Sequence, residues 1–268
     1  MKQQRREVWA TGAAYEPYVG RWSRLVARDF LAWLAVPPGG SWLDVGCGTG
    51  ALTHTILQVA HPRDVTSLDS SEGYLAYAGQ QINDPRVRWQ LGNAQQLPLE
   101  SSAYDAVVSG LVLNFIPDLP AALAEMARVA RPGGTVAAYV WDYAGKMELM
   151  RYFWDAAVAL SPAARELDEG RRFPVCQPGP LQDLFTQGGL TGVEVRAIDA
   201  PTRFRNFDDY WEPFLGGQGP APGYAMSLAP EEREALRERI RSGLPVAPDG
   251  SIHLIARAWA VRGNRVEG

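Results

Sequence analysis

The chain is poor in cysteine, in histidine and in net charge. Its 268 residues include two cysteines, Cys47 and Cys176, and three widely separated histidines, His54, His61 and His253. Two cysteines do not make a disulfide framework, so a reducing cytoplasm is the expected location. No Cys/His cluster has metal-ligand spacing, and no metal is expected. A G-x-S-x-G elbow and a lysine-bearing phosphate loop are both missing, which removes the hydrolase classes built on them. Net charge is −4, and the short basic runs, such as Arg171-Arg172 and 237–241, are solvated faces interleaved with acids. A nucleic-acid partner, which needs a concentrated basic surface, is therefore not expected. No run approaches the ~18 apolar residues of a membrane span, and the polar N-terminus lacks the apolar core of a signal peptide.

What is present is ordinary globular usage, 46% hydrophobic and 21% charged. The first half alternates short apolar runs with helical periods. Strands are expected at 41–46, 65–69, 87–91, 104–109 and 135–141, and helices at 51–60, 72–81 and 118–130. Asp118 and Pro120 suit the start of the third helix, and Pro132-Gly133-Gly134 its end. This alternation predicts parallel βαβ units, and the run-like apolar strands predict a sheet covered on both faces. The second half reads differently. Residues 143–192 look helical and irregular, with Pro162, Pro174, Pro178 and Pro180. Residues 193–198 read as a strand. Residues 203–250 are rich in aromatics, glycine and proline before a charged helix at 230–242, and 252–261 forms a last strand.

One feature carries chemistry. A buried strand runs straight into Gly46-x-Gly48-x-Gly50 and then a helix. Such glycines permit a sharp turn and close ligand approach, and the helix start presents free N–H groups. A ligand is expected at the carboxyl end of the first strand. By itself the loop also fits a dinucleotide, because Gly46, Gly48 and Ala51 match the loose pattern and Asp69 ends a strand about 20 residues on, as a ribose-binding acid does. A nicotinamide-dependent oxidoreductase thus stays open at this point, as does a plain tight turn. Asp44 argues for a different ligand. A buried carboxylate two residues before the first glycine needs a partner. It would repel a pyrophosphate but favour a ligand bearing an ammonium group and a sulfonium.

Four blocks in order, LDVGCGTG at 43–50, SLDSSEGYL at 67–75, GNAQQLPLESSAYDAVVSGLVLNFIPD at 92–118 and RVARPGGTVAAYVW at 128–141, resemble the class I S-adenosylmethionine-dependent methyltransferases. The likeness is strongest to the small-molecule subgroup that includes quinone-biosynthesis enzymes. It implies a three-layer Rossmann-like α/β sandwich: a mostly parallel seven-stranded sheet with an antiparallel edge strand, plus helical and aromatic lid insertions. It implies one domain over 1–268. Residues 1–40 would be an N-terminal lid, 41–142 the cofactor-binding core, 143–192 and 203–250 substrate-side insertions, and 193–199 and 251–262 closing strands.

The resemblance also implies roles. S-adenosylmethionine, leaving as S-adenosylhomocysteine, would meet Gly46, Cys47, Gly48 and Gly50, with Asp44 near its amino group. Asp69 would accept both ribose hydroxyls, with Ser70 beside the adenine. Asn93, Ala94 and Gln95 would form the adenine loop, Asn93 standing where the family usually has Asp. Ser109, Gly110 and Leu111 would pass the methionine end, and Arg21 would pair with the methionine carboxylate. The alternative for the Arg21 segment is an amphipathic helix packing Trp22, Leu25 and Val26. Candidates for the acceptor side are Tyr15, Tyr18, Asn114, Trp141, Tyr143, Tyr210 and Trp211, the last two in an aromatic stretch expected to form either a mobile lid or an extra packing layer over a sheet edge. His253 is expected to be a core or edge histidine. The implied partner is a small-molecule methyl acceptor; a non-catalytic adenosylmethionine-binding module is the further alternative.

Overall fold

The computed structural model describes residues 21–216 and 219–267, with the side chain of Arg21 left out. Tyr15 and Tyr18 lie outside the described residues, so their expected roles are not addressed. Seven strands form one sheet: β1 (Ser41–Val45), β2 (Asp64–Asp69), β3 (Val87–Leu91), β4 (Tyr104–Gly110), β5 (Ala130–Trp141), β6 (Thr191–Phe204) and β7 (Ile252–Asn264), in the order β3-β2-β1-β4-β5-β7-β6. β1 to β5 pair in parallel, and β7 runs antiparallel to β5. The expected Rossmann-like sheet is therefore present. Helices α1 (Arg21–Leu34), α2 (Ala51–Val59), α3 (Glu72–Gln81) and α4 (Leu119–Val129) accompany it. All five residues of β1 are buried, which explains its unbroken apolar run around a single acid.

The chain divides into two compact units. One contains Ser23–Trp141, Val175–Asp199 and Ala258–Gly268; the other contains Asp142–Pro174 and Ala200–Arg257, with Trp22. Residues 178–187, within the stretch expected to be helical and irregular, form helix α7 (Pro178–Gln187) in the sheet unit, with Leu181 and Phe185 buried. Proline at a first helical turn loses nothing, because its missing N–H would be unpaired there anyway. The Pro132-Gly133-Gly134 segment is likewise strand, not interruption. β5 starts at Ala130, and a register shift between Tyr104 and Ala106 absorbs the extra residues. The N–H of Gly133 donates to the Arg265 carbonyl at 3.0 Å and that of Arg265 to the Gly134 carbonyl at 2.9 Å, so the segment is paired. On α1 the buried residues include Trp22, Val26, Phe30 and Leu34, spaced by four. Leu25 lies off that stripe and is exposed, contrary to the packing expected for it.

The second unit contains α5 (Glu148–Leu160), α6 (Glu169–Arg172), α8 (Phe207–Trp211), α9 (Pro220–Ser227) and α10 (Pro230–Gly243). Its core is aromatic. Phe153 stacks on Phe214 at 4.6 Å between ring centres, Tyr210 packs against Phe204 at 5.3 Å, and Trp154 packs against Tyr224 at 5.6 Å. Of the two readings of the aromatic stretch, a mobile lid or a packing layer, its rings Phe204, Tyr210, Trp211 and Phe214 are packed in the core of this unit. Tyr210 is fully buried, with its hydroxyl donating to the Leu149 carbonyl at 2.8 Å, and Trp211 is 4% exposed. His253 is exposed at the sheet's β7, its ring nitrogen 2.9 Å from the Ser251 hydroxyl. Among the described residues no helix is long and apolar enough to cross a membrane.

In the sheet unit, Arg128 of α4 clamps the loop that leads into β4. It donates to the carbonyls of Leu97 and Leu99 at 3.1 and 2.9 Å and pairs with Glu125, which in turn accepts from the Leu97 N–H at 2.7 Å. Arg128→Ala is expected to speed hydrogen exchange of the 97–101 amides on the order of tenfold, the equivalent of one lost charged hydrogen bond. Exchange in β1 should be unchanged, as mass spectrometry would read.

Candidate functional site

The site forms where β1 and β2 end. The Leu68 carbonyl accepts from the N–H groups of both Gly46 and Cys47, at 2.7 and 2.9 Å. The next amide, Gly48 N–H, donates to the Asp69 carboxylate at 2.9 Å. The other Asp69 oxygen accepts from Ser71 N–H at 2.9 Å. Asp69 is therefore not the cap of α3. Ser71 is, accepting from Tyr74 N–H through its hydroxyl. A carboxylate oxygen with one backbone donor still has a lone pair for a ligand hydroxyl. Its charge also pushes the nearby Tyr74 phenol up to about 12, after burial, the larger cause.

Asp44 lies fully buried in β1. One oxygen accepts from the Thr53 hydroxyl at 2.7 Å, and Thr53 lies 2.7 Å from the Ser67 hydroxyl. The other oxygen, Oδ1, has no hydrogen-bond partner among the described residues. Burial, reinforced by Asp69, raises the Asp44 pKa to about 7 against the opposing Thr53 bond. Burial and the same two acids push the Cys47 thiol up as well, so Cys47 stays a neutral lining group. Both cysteines are buried.

This arrangement tests what the loop can hold. Two acids and a neutral thiol surround it, and the Gly46, Cys47 and Gly48 amides are already paired within the protein. Such surroundings repel a pyrophosphate, and none of these three amides is left to bind one. An unpaired buried carboxylate oxygen instead fits a ligand carrying a cationic group. The three loop glycines all have left-handed backbone, but they do not serve the same end. A methyl group at Gly46 would come within 2.6 Å of Val112, whereas nothing lies within 4 Å of one at Gly48. Gly46 is small for packing; Gly48 is small beside open space.

The remaining sequence-named residues distribute around the same edge of the sheet. Ser70 is exposed just beyond β2. Asn93 is exposed, and its Oδ1 accepts from the Gln95 N–H at 3.0 Å, bending the loop that includes Ala94. Gln95 reaches the start of α4, its side-chain oxygen accepting from Asp118 N–H at 2.8 Å. The Ser109 hydroxyl is not directed at a ligand: it donates to the Val45 carbonyl at 2.8 Å and ties β4 to β1. Leu111, past the end of β4, has φ of +62°, rare for a residue with a side chain. Asn114 lies in the short turn Leu113–Phe115, and its Nδ2 is buried without a partner among the described residues. Trp141 ends β5, and its indole N–H is likewise buried and unpaired among the described residues. Arg21 begins α1.

Sequence reasoning missed the supports. Thr53 and Ser67 hold Asp44, and the signal was a threonine on the buried face of α2. In the second unit Arg151 pairs with Asp168 at 2.8 Å, and Glu169, bonded to the Trp154 indole, is raised by burial to about 8. Among the described residues no group of three metal-ligating side chains occurs.

Known proteins resemble the chain over this region. A family model described as a methyltransferase domain matches residues 43–138. The demethylmenaquinone methyltransferase of Staphylococcus aureus is 36% identical over 189 residues, covering 66% of this chain and 77% of that protein. The trans-aconitate 2-methyltransferase of Deinococcus radiodurans is 38% identical over 176 residues, 64% of this chain and 66% of that protein. Over several other curated relatives the chain spans about half their length, from 43% to 51%. Among solved structures, phosphoethanolamine N-methyltransferase 2 of Haemonchus contortus with S-adenosyl-L-methionine shares the fold. Its TM-score is 0.58 at 16% identity, over 95% of this chain and 56% of that one.

Two predictions follow from the loop. Gly48→Ala should weaken binding of S-adenosylhomocysteine at least tenfold while costing only about 1–2 kcal/mol of stability, the left-handed penalty. Gly46→Ala should cost more stability, because it also strikes Val112; calorimetry and thermal melts separate the two. The second concerns pH. Asp44 has a folded pKa of about 7 against 3.8 for an ordinary aspartate. The native state therefore holds this proton more tightly than the unfolded chain does, and the contribution is full below about 4, shrinks as pH rises to 7 and is constant above. Asp44→Asn should abolish that part of the ligand-free protein's pH–stability curve between pH 4 and 7.

Proposed function

Because this chain belongs to the S-adenosylmethionine-dependent methyltransferases, we propose that it transfers a methyl group from S-adenosylmethionine to a small-molecule acceptor. The observation that carries the proposal is the pair of acids at the carboxyl ends of β1 and β2, one with an unpaired buried oxygen, flanking the open side of Gly48. The ligand supplies a methyl carbon on a positively charged sulfur, and the departing thioether is neutral, so no acid is needed to release it. Asp44 would face the ammonium group, and Gly46, Cys47, Gly48 and Gly50 would line the methionine and ribose. Asp69 would accept the ribose hydroxyls on the lone pairs left by Gly48 and Ser71. Ser70, Asn93, Ala94 and Gln95 would surround the adenine. The Asn93 oxygen already accepts from Gln95, so its second lone pair would take the adenine amino group. The backbone at Ser109, Gly110 and Leu111 would pass the methionine end, and Arg21 would take its carboxylate bidentately.

The remaining work of the protein is alignment and exclusion of water. Orientation alone can supply ~7–11 kcal/mol of a barrier, so the lack of an evident triad agrees with this chemistry. The relatives' names identify demethylmenaquinone and trans-aconitate as their acceptors, and both are small molecules. A small acceptor also agrees with the acidic balance of the chain, which disfavours a nucleic-acid partner. Two cysteines are too few for a disulfide framework, which agrees with a cytoplasmic location.

Calorimetry with S-adenosylmethionine and S-adenosylhomocysteine tests the reading directly. Folded protein that binds neither would overturn it. Asp69→Ala should lower the affinity for either by about tenfold or more, through loss of charged hydrogen bonds; unchanged affinity would show that the ribose lies elsewhere.

A further inference from the structure

Five strands of the sheet unit are parallel, and ligands of such sheets bind at the carboxyl ends of the strands. At that edge β4 and β5 are neighbours, paired in register through Gly110 and Tyr139. Beyond the pairing, each strand leads to a buried N–H donor with no acceptor among the described residues. After β4 it is Nδ2 of Asn114, in the turn Leu113–Phe115. At the end of β5 it is the indole N–H of Trp141, a side chain only 2% exposed. An unpaired buried donor is destabilising, and native proteins keep few of them. Two such donors at the ends of adjacent strands, with the left-handed Leu111 between Gly110 and Asn114, mark a place where strain and unmet hydrogen bonding are retained together. Trp42 has a similarly unpaired indole, but it stands near the amino end of β1, at the opposite edge. Position, rather than an orphan indole alone, singles out the Asn114 and Trp141 pair.

We infer that this edge is the acceptor subsite, and that Asn114 Nδ2 and Trp141 Nε1 donate to an anionic oxygen, a carboxylate or enolate, of the methyl acceptor. The inference rests on the methyltransferase reading. Tryptophan nitrogen only donates, so its complement is a lone pair and never an ammonium group. A hydrogen bond to an ionised oxygen is roughly twice as strong as one to a neutral oxygen, so the anion is the ligand that best repays two buried donors. Both donors are neutral. They orient an oxygen anion without neutralising it in an ion pair, which preserves its nucleophilic character. They disfavour an amine acceptor, whose protonated form offers them nothing to bind.

The test uses the full chain saturated with S-adenosylhomocysteine and nitrogen-15 label in its indoles. The probes are benzoate for a carboxylate, acetylacetonate for an enolate and benzylamine for an ammonium. The Trp141 indole resonance, assigned with Trp141→Phe, is expected to move downfield with benzoate or acetylacetonate and to stay in place with benzylamine. Which anion moves it identifies the oxygen source. Asn114→Leu should weaken that anion about tenfold or more, and Asn114→Asp, which keeps the volume and adds a like charge, should weaken it further. Affinity for S-adenosylhomocysteine should stay within about twofold in these variants. No shift with either anion, a shift with benzylamine alone, or anion binding indifferent to both Asn114 variants overturns the subsite. Failure of the unmodified chain to bind S-adenosylhomocysteine is a separate readout, and it overturns the methyltransferase reading and the subsite with it.

Discussion

The organisation of the site depends on one carbonyl. Leu68, the penultimate residue of β2, accepts from two successive amides of the glycine loop, and Asp69 catches the third. This fastening holds the end of β1 to the end of β2 and turns the chain sharply into α2. It consumes three of the amides that a glycine loop would otherwise offer to phosphate. What is left beside the turn is carboxylate character, with open space at Gly48. The same backbone pattern that suggests a dinucleotide in sequence is, once fastened this way, suited to a cation-bearing adenosyl ligand.

A second tier of contacts holds this arrangement in place. Thr53 and Ser67 fix one oxygen of Asp44, and the Ser109 hydroxyl links β4 to β1 through Val45. Arg128 and Glu125 secure the loop from Leu97 onward. None of these side chains has to touch a ligand; they set where the ligand-facing groups stand. In the sheet unit, polar side chains are thus spent mainly on positioning.

Most of the sheet was legible before any coordinates. Fully buried parallel strands write themselves as short apolar runs, and α3 and β3 fall where periodicity puts them. Proline misled in both halves. Pro178 and Pro180 look like interruption but occupy the first turn of α7, where they are tolerated, and Pro132 sits in the irregular start of β5, where Gly133 and Gly134 bond to Arg265 just past β7. The aromatic stretch around Tyr210 was ambiguous for a deeper reason. Composition cannot distinguish rings that cover a ligand from rings that cover one another, and in the second unit they cover one another. At the site, Asp44 and Asp69 could be named from their spacing to the glycines. Thr53, Ser67 and the pair Arg151–Asp168 could not, because their importance arises only when distant segments meet.

The buried Asp44 has a thermodynamic consequence outside structure. With a pKa of about 7, it carries a proton in a substantial fraction of ligand-free molecules at neutral pH. A cationic group brought to its unpaired oxygen favours the ionised form, so that proton must leave as the ligand arrives. Ligand uptake near neutrality is then an acid-releasing event. The heat that accompanies it contains the ionisation enthalpy of whichever buffer receives the proton.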